Sequence, residues 1–480
     1  MQTDSPQASR HDDTSRLSAT LKTRHLTMMS IAGVIGAGLF VGSGSVIAQA
    51  GPATILAYLA GGILVIFIMR MLGEMATSSP DTGSFSTYAE KAIGRWAGFT
   101  IGWLYWWFWT LLMAWEAYVA GMILHGWFPA ISISTFTAIM TGGLIIVNFL
   151  QVRNYGEFEF WFALIKVVAI VCFIVVGSLA VLSLWPWGEA RGLANLTAHG
   201  GFMPNGASSV VVALLGVMFA FLGAEIVTIA ASEAKDPAGQ IVRTTNSVVW
   251  RICLFYIGSI FLIVCLVPWN DPLLGQSGYG SYRRTLELLG IPGAQFVMNF
   301  VVLTSVSSCF ISAHYTCSRM LYSLSRRGDA PAFLQRTRAN GTPVPAVIVS
   351  CATAVAVAFI NFFESLRPRD ILDLLMNTTG MIAMLVYLVI AFSQLHMRRK
   401  LEKEGREIRL KMWLFPYLTY ATIAFIIVSL VVMLFVDQHR PIVLSTGAAA
   451  LVVVIAGIVV HVRAARTAPS AAGHAPARIG

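Results

Sequence analysis

The chain has 480 residues, of which 56% are hydrophobic and only 12% are charged, and its mean hydropathy is +0.72. An ordinary soluble domain carries about 25% charged residues, so this composition argues against a soluble enzyme. The net charge of +10 does not indicate nucleic acid, because the basic residues are scattered between apolar runs, as the orientation rule for membrane helices expects.

Apolar runs of about 18 or more residues predict an all-α polytopic membrane protein with twelve transmembrane helices. The predicted spans are 27–50, 52–76, 97–124, 132–152, 158–183, 209–233, 245–269, 293–323, 344–364, 370–397, 412–435 and 441–463. The first residues are polar and contain no apolar core of a signal peptide, so we expect the amino terminus to remain in the cytoplasm. An even number of spans then makes both tails, 1–26 and 464–480, cytoplasmic.

The distribution of basic residues agrees with this orientation, because cytoplasmic loops carry an excess of Lys and Arg. Of the 33 basic residues, six fall in the predicted outer loops: Arg191, Arg283, Arg284, Arg367, Arg369 and Arg440. No loop is long enough for a catalytic domain, and the scattered histidines form no catalytic constellation. We therefore predict a protein that is not an enzyme.

The first predicted span contains three glycines near its centre, Gly33, Gly36 and Gly38. They lie about 6 to 11 positions into a helix that rises about 1.5 Å per residue, which places them near the bilayer midplane. Each glycine weakens a helix by about 1 kcal/mol relative to alanine. The cluster therefore indicates an unwound segment, with close packing of small residues against another helix as the alternative.

An aromatic cluster, WLYWWFW at 103–109, lies well inside the third predicted span. Its depth distinguishes it from a belt of aromatic residues at the headgroups. The cluster either walls a cavity or packs helices together.

The sixth predicted span has a second interruption in the run FAFLGAE, 219–225. Gly223 and Glu225 lie about 14 to 16 positions into the span, again near the midplane. Spans 1 and 6 are the first members of two sets of five. Paired interruptions at corresponding positions indicate the substrate site of an inverted-repeat transporter.

Several runs of the sequence resemble those of a known family. The runs LKTRHLTMMSIAGVIGAGLFVGSG, FLGAEIVTIAASEAKDP and SRMLYSLSRRGDAP resemble the amino acid transporter branch of the amino acid, polyamine and organocation superfamily. The likeness extends from Leu21 to about Val460. Within that branch, PDTGSFSTYAEKAIGRWAG, NYGEFEFW and FMPNG are most similar to bacterial permeases for 4-aminobutyrate (GABA), and carriers of proline, lysine or aromatic amino acids share most of these strings.

The resemblance implies a LeuT-type fold with a first repeat of five helices over 27–183, an inverted second repeat over 209–397 and two further helices over 412–463. It also implies proton-coupled import of GABA across the inner membrane. The alternative is a proton-coupled permease or exchanger for proline, lysine or an aromatic amino acid. The expected partners are an amino acid substrate, protons and membrane lipid, without a cofactor, a metal or nucleic acid.

We expect the substrate to bind where spans 1 and 6 are interrupted. Amide N–H groups at the positive end of a half-helix suit a carboxylate, and here they belong to Gly36, Ala37 and Gly38. Carbonyl groups freed by unwinding can accept from the substrate ammonium, and here they belong to Ala32, Gly33, Phe219 and Ala220. Phe221 or a near neighbour can close the cavity as a gate, with core packing of the phenylalanine as the alternative.

Lys166 is the residue that we expect to couple transport to protons. It lies eight positions into span 5, in ALIKVVAI, where a central charge costs at least about 2.5 kcal/mol and indicates a functional residue. The alternative is a lysine whose amine reaches the inner interface. The resemblance favours function, because proton-coupled relatives place a lysine of span 5 where sodium-coupled members hold an ion.

Two acids and a cysteine complete the expected site. Glu116 in span 3 and Glu225 in span 6 can bind the substrate amine or relay a proton, with pairing to a backbone or hydroxyl group as the alternative. Cys309 in span 8 matches a position near the site in the GABA permease pattern. Outside the site, Arg70 and Glu74 are four positions apart and predict an ion pair within one helix.

Overall fold

The computed structural model describes residues 35–79, 84–149, 152–188, 192–226, 236–276, 278–338, 342–360 and 368–467. These residues form helices joined by turns and loops, and no strand occurs among them. The predicted tail 1–26, Ala32, Gly33 and most of the predicted tail 464–480 lie outside the described residues.

Long apolar segments form helices here because a helix satisfies every backbone polar group within the segment, which lipid cannot do. Two π-helical stretches, Gly38–Gly42 and Ile252–Gly258, directly precede the α-helices Ser43–Ala50 and Ser259–Leu266. The α-helices of the described residues are α1 (Ser43–Ala50), α2 (Thr54–Ser78), α3 (Ser84–Ala92), α4 (Arg95–Trp127), α5 (Ile133–Phe149), α6 (Val152–Val181), α7 (Ser208–Ala220), α8 (Pro237–Arg251), α9 (Ser259–Leu266), α10 (Ser281–Leu288), α11 (Ala294–Arg326), α12 (Val344–Ile360), α13 (Pro368–Lys403), α14 (Tyr417–Leu434) and α15 (Arg440–Thr467).

Eight helical segments of the described chain are long and apolar enough to cross a membrane. One of them, Gly38–Ser78, covers parts of the first two predicted spans. Gly51 separates these spans with a φ of +65°, a backbone conformation that glycine adopts readily. Each predicted span overlaps a described helix, but α5, α7 and α12 are shorter than the eight spanning segments, and the total of twelve stays a prediction.

Helices α4 and α11 pack against each other and form the centre of the bundle. Helix α6 packs against α11, while α7 packs against α2 and α13. This arrangement brings Gly36 and Gly38 of the first span, and the end of α7, beside the middle of α4 and α11.

On the predicted outer side, α10 covers the π-helical turn before α1. The hydroxyl oxygens of Ser43 and Ser281 are 2.7 Å apart, and the rings of Phe40 and Tyr282 pack edge-on with centroids 5.0 Å apart. All four side chains are buried. Protein therefore closes this side of the region where the two interrupted spans meet.

The ion pair predicted between Arg70 and Glu74 is wrong. Glu74 is buried and pairs with Arg398 of α13 at 3.1 Å, and it also accepts from Gln394 at 3.0 Å. Arg70 instead donates to the side chain of Asn246 at 3.1 Å. Neighbouring helices offer both groups partners that spacing along one helix does not reveal.

The aromatic cluster of the third span serves both expected uses. Trp103, Trp106 and Trp107 line a cavity of about 590 Å³ between α4, α13 and α15. Trp107 is 41% exposed, so the cavity opens on the outer surface of the bundle. Trp109 is buried and packs edge-on against Phe108, with ring centroids 5.2 Å apart.

Candidate substrate site

The described residues depart from helical geometry at both predicted positions, and the part of span 1 before Ile35 lies outside the described residues. Ile35 and Gly36 precede the π-helical turn without forming helix. Helix α7 ends at Ala220, and turns follow from Phe221 onward. Gly223 has a φ of +97°, which glycine adopts without the steric penalty of a Cβ atom. The glycine thus allows the chain to leave the helix at this depth.

The two interruptions lie directly against each other. A Cβ atom on Gly38 would lie 3.0 Å from the ring of Phe219 and 3.2 Å from Cα of Ala220. A Cβ atom on Gly36 would lie 2.9 Å from Sγ of Cys309 and 3.0 Å from Oε1 of Glu116. Glycine is therefore needed at these two positions for close approach, which was the alternative interpretation of the cluster.

A narrow cavity of about 10 Å³, about the space of one water, lies between the interruptions. Six of the expected site residues line it, together with Trp109 of the aromatic cluster and two leucines that sequence reasoning missed. The lining residues are Gly36, Gly38, Trp109, Leu112, Glu116, Phe219, Ala220, Leu222 and Cys309. A substrate with several non-hydrogen atoms needs more space, so the elements that line the cavity must separate for binding.

The carboxylate of Glu116 lies at the start of the helical part of span 1, beside Ala37. Glu116 is 1% exposed, and it accepts a hydrogen bond from the backbone N–H of Ala37. This amide is one of the groups expected to hold the substrate carboxylate. A helix start attracts any anion, and here the protein supplies one of its own.

The backbone carbonyl of Ile35, freed by the interruption of span 1, is held by α11. Ser305 Oγ donates to this carbonyl at 3.1 Å, and Cys309 Sγ lies 3.6 Å from it. Small polar side chains on α11 therefore provide hydrogen-bond donors to this backbone carbonyl.

Lys166 is completely buried one side chain away from the cavity. Its Nζ donates to Ser308 Oγ at 2.8 Å and lies 4.0 Å from Sγ of Cys309, which lines the cavity. An amine that reached the inner interface would be exposed, so that alternative does not describe this structure. The role of Lys166 in proton coupling stays a prediction.

Three of the expected substrate-binding residues that the structure describes, Ala37, Phe221 and Glu225, do not line the cavity. Glu225 accepts from the hydroxyl groups of Tyr105 at 3.3 Å and Tyr387 at 3.5 Å. Phe221 packs between Tyr58 and Tyr256, with ring centroids 5.8 and 4.6 Å away. Phe221 therefore takes the core-packing role that was its alternative, and Glu225 connects the turn to α4 and α13.

Sequence reasoning missed Glu159, which is 1% exposed and accepts from Ser308 Oγ at 2.7 Å. Its position contained a usable signal. Glu159 lies seven positions before Lys166, and residues seven apart share a helix face. Leu112 and Leu222 gave no such signal, because apolar residues in a membrane helix look alike whether they pack or line a cavity.

The fold is similar to that of a solved transporter. The crystal structure of a mutant of the manganese transporter from Eremococcus coleocola aligns with a TM-score of 0.60, covering 95% of this chain and 98% of that chain. The two sequences are 14% identical, so this likeness concerns the fold alone.

Two curated relatives are much closer in sequence. A probable GABA permease of Pseudomonas aeruginosa is 55% identical over 443 residues, 92% of each chain. The gamma-aminobutyric acid permease of Escherichia coli is 56% identical over 435 residues, 91% of this chain and 92% of the relative. The family model for amino acid permeases matches residues 25–470. This integral membrane protein therefore belongs to the amino acid permease family.

Proposed function

We propose that this protein imports GABA and close analogues across the inner membrane by proton-coupled alternating access. The observation that carries the proposal is the cavity between the two interrupted spans, with the buried amine of Lys166 one side chain away. The similarity to two proteins named as GABA permeases supports the choice of substrate. The proposal includes twelve spans, two inverted repeats of five and cytoplasmic termini.

The substrate would lie across the cavity with its two charged ends held apart. Its carboxylate would replace that of Glu116 at the amides of 36–38. Its ammonium would face carbonyl groups at Phe219 and Ala220, where α7 ends. GABA has about seven non-hydrogen atoms, and a small ligand gains at most about 1.5 kcal/mol per atom, so most of its affinity must come from the charged ends.

A site that measures the distance between two charges discriminates by the length of the substrate. We expect GABA and 5-aminovalerate to compete for uptake of labelled GABA, and alanine and glycine to compete poorly. A 2-amino acid leaves one charge-binding group unpaired, which weakens binding more than the loss of a methylene group does. Counterflow in proteoliposomes with a panel of unlabelled amino acids measures this order.

The panel also separates the proposal from its alternative. Exchange of lysine, proline or phenylalanine without any counterflow of GABA would leave the family assignment in place and refute the assignment of the substrate.

The driving force provides a second expected result. Lys166 supplies a cation from the protein itself beside the site, so uptake should follow an imposed proton gradient and should not respond to sodium. The measurement is initial GABA uptake into proteoliposomes at fixed pH, with sodium replaced by potassium or choline. Stimulation by sodium under these conditions would contradict a proton-coupled mechanism.

A further inference from the structure

Lys166, Ser308 and Glu159 form a continuous hydrogen-bonded chain behind the cavity. Lys166 Nζ donates to Ser308 Oγ at 2.8 Å, and Ser308 Oγ donates to Glu159 Oε2 at 2.7 Å. Their exposed fractions are 0%, 0% and 1%. A hydroxyl group has one proton to donate and two lone pairs to accept with, so Ser308 can serve both neighbours at once.

The backbone positions of Lys166 and Glu159 are seven residues apart on α6, which is about two turns or 10 Å of rise. Their polar ends lie much closer together, because both bond to the one hydroxyl oxygen of Ser308. Glu159 in turn lies about 10 Å from Val152, the first residue of α6. Under the proposed orientation this end of α6 is cytoplasmic, so Glu159 lies between the lysine and the cytoplasm.

Few titratable or charged groups surround this chain among the described residues of the packed helices. Lys166 is the cation that acts on the carboxylate of Glu159, and Ser312 of α11 lies beside the same carboxylate. On the cavity side, Glu116 of α4 and Cys309 of α11 face Lys166. Tyr256, from the π-helical stretch before α9, lies near Cys309.

We infer that Glu159 accepts the coupling proton from Lys166 and releases it to the cytoplasm; this inference rests on the proposed function. The ammonium of Lys166 gives a proton to Ser308 Oγ, while the hydroxyl proton of Ser308 passes to Glu159 Oε2. Lysine becomes a neutral amine, serine remains a hydroxyl and glutamate becomes a neutral acid. The transfer replaces two buried charges by two neutral groups, which an apolar interior favours.

Release follows when the site opens toward the cytoplasm. Water then reaches the neutral acid, which ionises and gives up the proton. The neutral amine of Lys166 remains ready to receive the next proton from the opposite side. Glu159 thus gives the proton a route to the cytoplasm that does not pass through the cavity.

The test is Glu159→Gln in proteoliposomes. Glutamine keeps the shape of the side chain and an oxygen that can accept from Ser308, but it cannot take up a proton. GABA counterflow requires no net proton movement, so it should stay within about twofold of the wild type, while accumulation driven by a proton gradient should fall by about tenfold or more. Initial uptake in the wild type should depend on the internal pH, and this dependence should be lost in the variant.

Two further variants distinguish proton transfer from structural support. Glu157→Gln makes the same chemical change two positions away on the opposite face of α6, and it should accumulate GABA normally. Glu159→Asp keeps a titratable carboxyl group and should restore part of the accumulation. Normal accumulation by Glu159→Gln would overturn the inference, as would loss of both counterflow and accumulation in Glu159→Gln and Glu159→Asp alike.

Failure of this inference is distinguishable from failure of the proposed function. Wild-type protein that shows no proton-driven GABA uptake would refute the proposed function and, with it, the relay. Wild-type protein with proton-driven uptake, together with a Glu159→Gln variant that accumulates equally well, would refute the relay alone.

Discussion

Replacement of Lys166 by methionine is expected to abolish accumulation of GABA against its gradient, while membrane insertion and counterflow persist. Methionine fills a similar unbranched volume in the buried position but carries no proton and cannot donate to Ser308. The buried carboxylate of Glu159 would then lose the cation that acts on it and would take up a proton, because an unpaired buried charge is strongly unfavourable. The measurement is uptake into proteoliposomes under an imposed proton gradient.

Lys400→Met is the matched control for this experiment, because Lys400 is exposed at the end of α13. It should accumulate GABA as the wild type does. A Lys166→Met protein that still concentrates the substrate would show that the buried lysine is structural.

A second large effect is expected from Gly38→Leu, which should reduce transport of every substrate by about 100-fold or more, equivalent to about 3 kcal/mol. The new Cβ atom would lie 3.0 Å from the ring of Phe219 and 3.2 Å from Cα of Ala220. Carbon atoms normally approach no closer than about 3.5 Å. The side chain would therefore force the two interruptions apart and fill the space that the substrate requires.

Gly143→Leu is the control, since a Cβ atom at Gly143 on α5 has nothing within 4 Å. This variant carries the same change on a predicted membrane helix and should retain transport. Thermal unfolding in detergent, measured for both variants, separates a blocked site from a misfolded protein. Normal transport by a well-folded Gly38→Leu variant would mean that the substrate binds elsewhere.

The interruptions of spans 1 and 6 could be predicted because glycine acts locally on the backbone. Gly36 and Gly223 mark their positions directly in the sequence, and the depth of each follows from the rise of a helix. Lys166 could be predicted for a similar reason, since a charge within an apolar run needs an explanation wherever the helix packs.

The directions of side chains beyond an interruption could not be predicted. Helical periodicity assigns faces only while the helix continues, and α7 ends at Ala220. The positive φ of Gly223 redirects the chain after that point. Glu225 therefore reaches Tyr105 and Tyr387, although its depth in the span suggested a place beside the substrate.

Contacts between distant segments were the other limit. Glu74 bonds to Arg398, a residue more than 300 positions away, and the spacing of Arg70 and Glu74 along one helix carries no information about such a partner. Glu159 differs from Glu74, because its spacing of seven residues from Lys166 predicts that both side chains share one face of α6.

In the proposed binding mode, the bond between Glu116 and the amide of Ala37 makes substrate binding a competition between two carboxylates. The gain from binding is the difference between two similar anions at one helix start, not the whole attraction of that start for negative charge. Only carriers in which Glu116 has released the amide can bind the substrate in this mode. The apparent affinity is therefore the intrinsic affinity multiplied by the fraction of such carriers. Glu116 would also shorten the residence time of the bound substrate, because its carboxylate can bind the amide again. We therefore expect a carrier with this binding mode to bind its substrate weakly and to release it quickly.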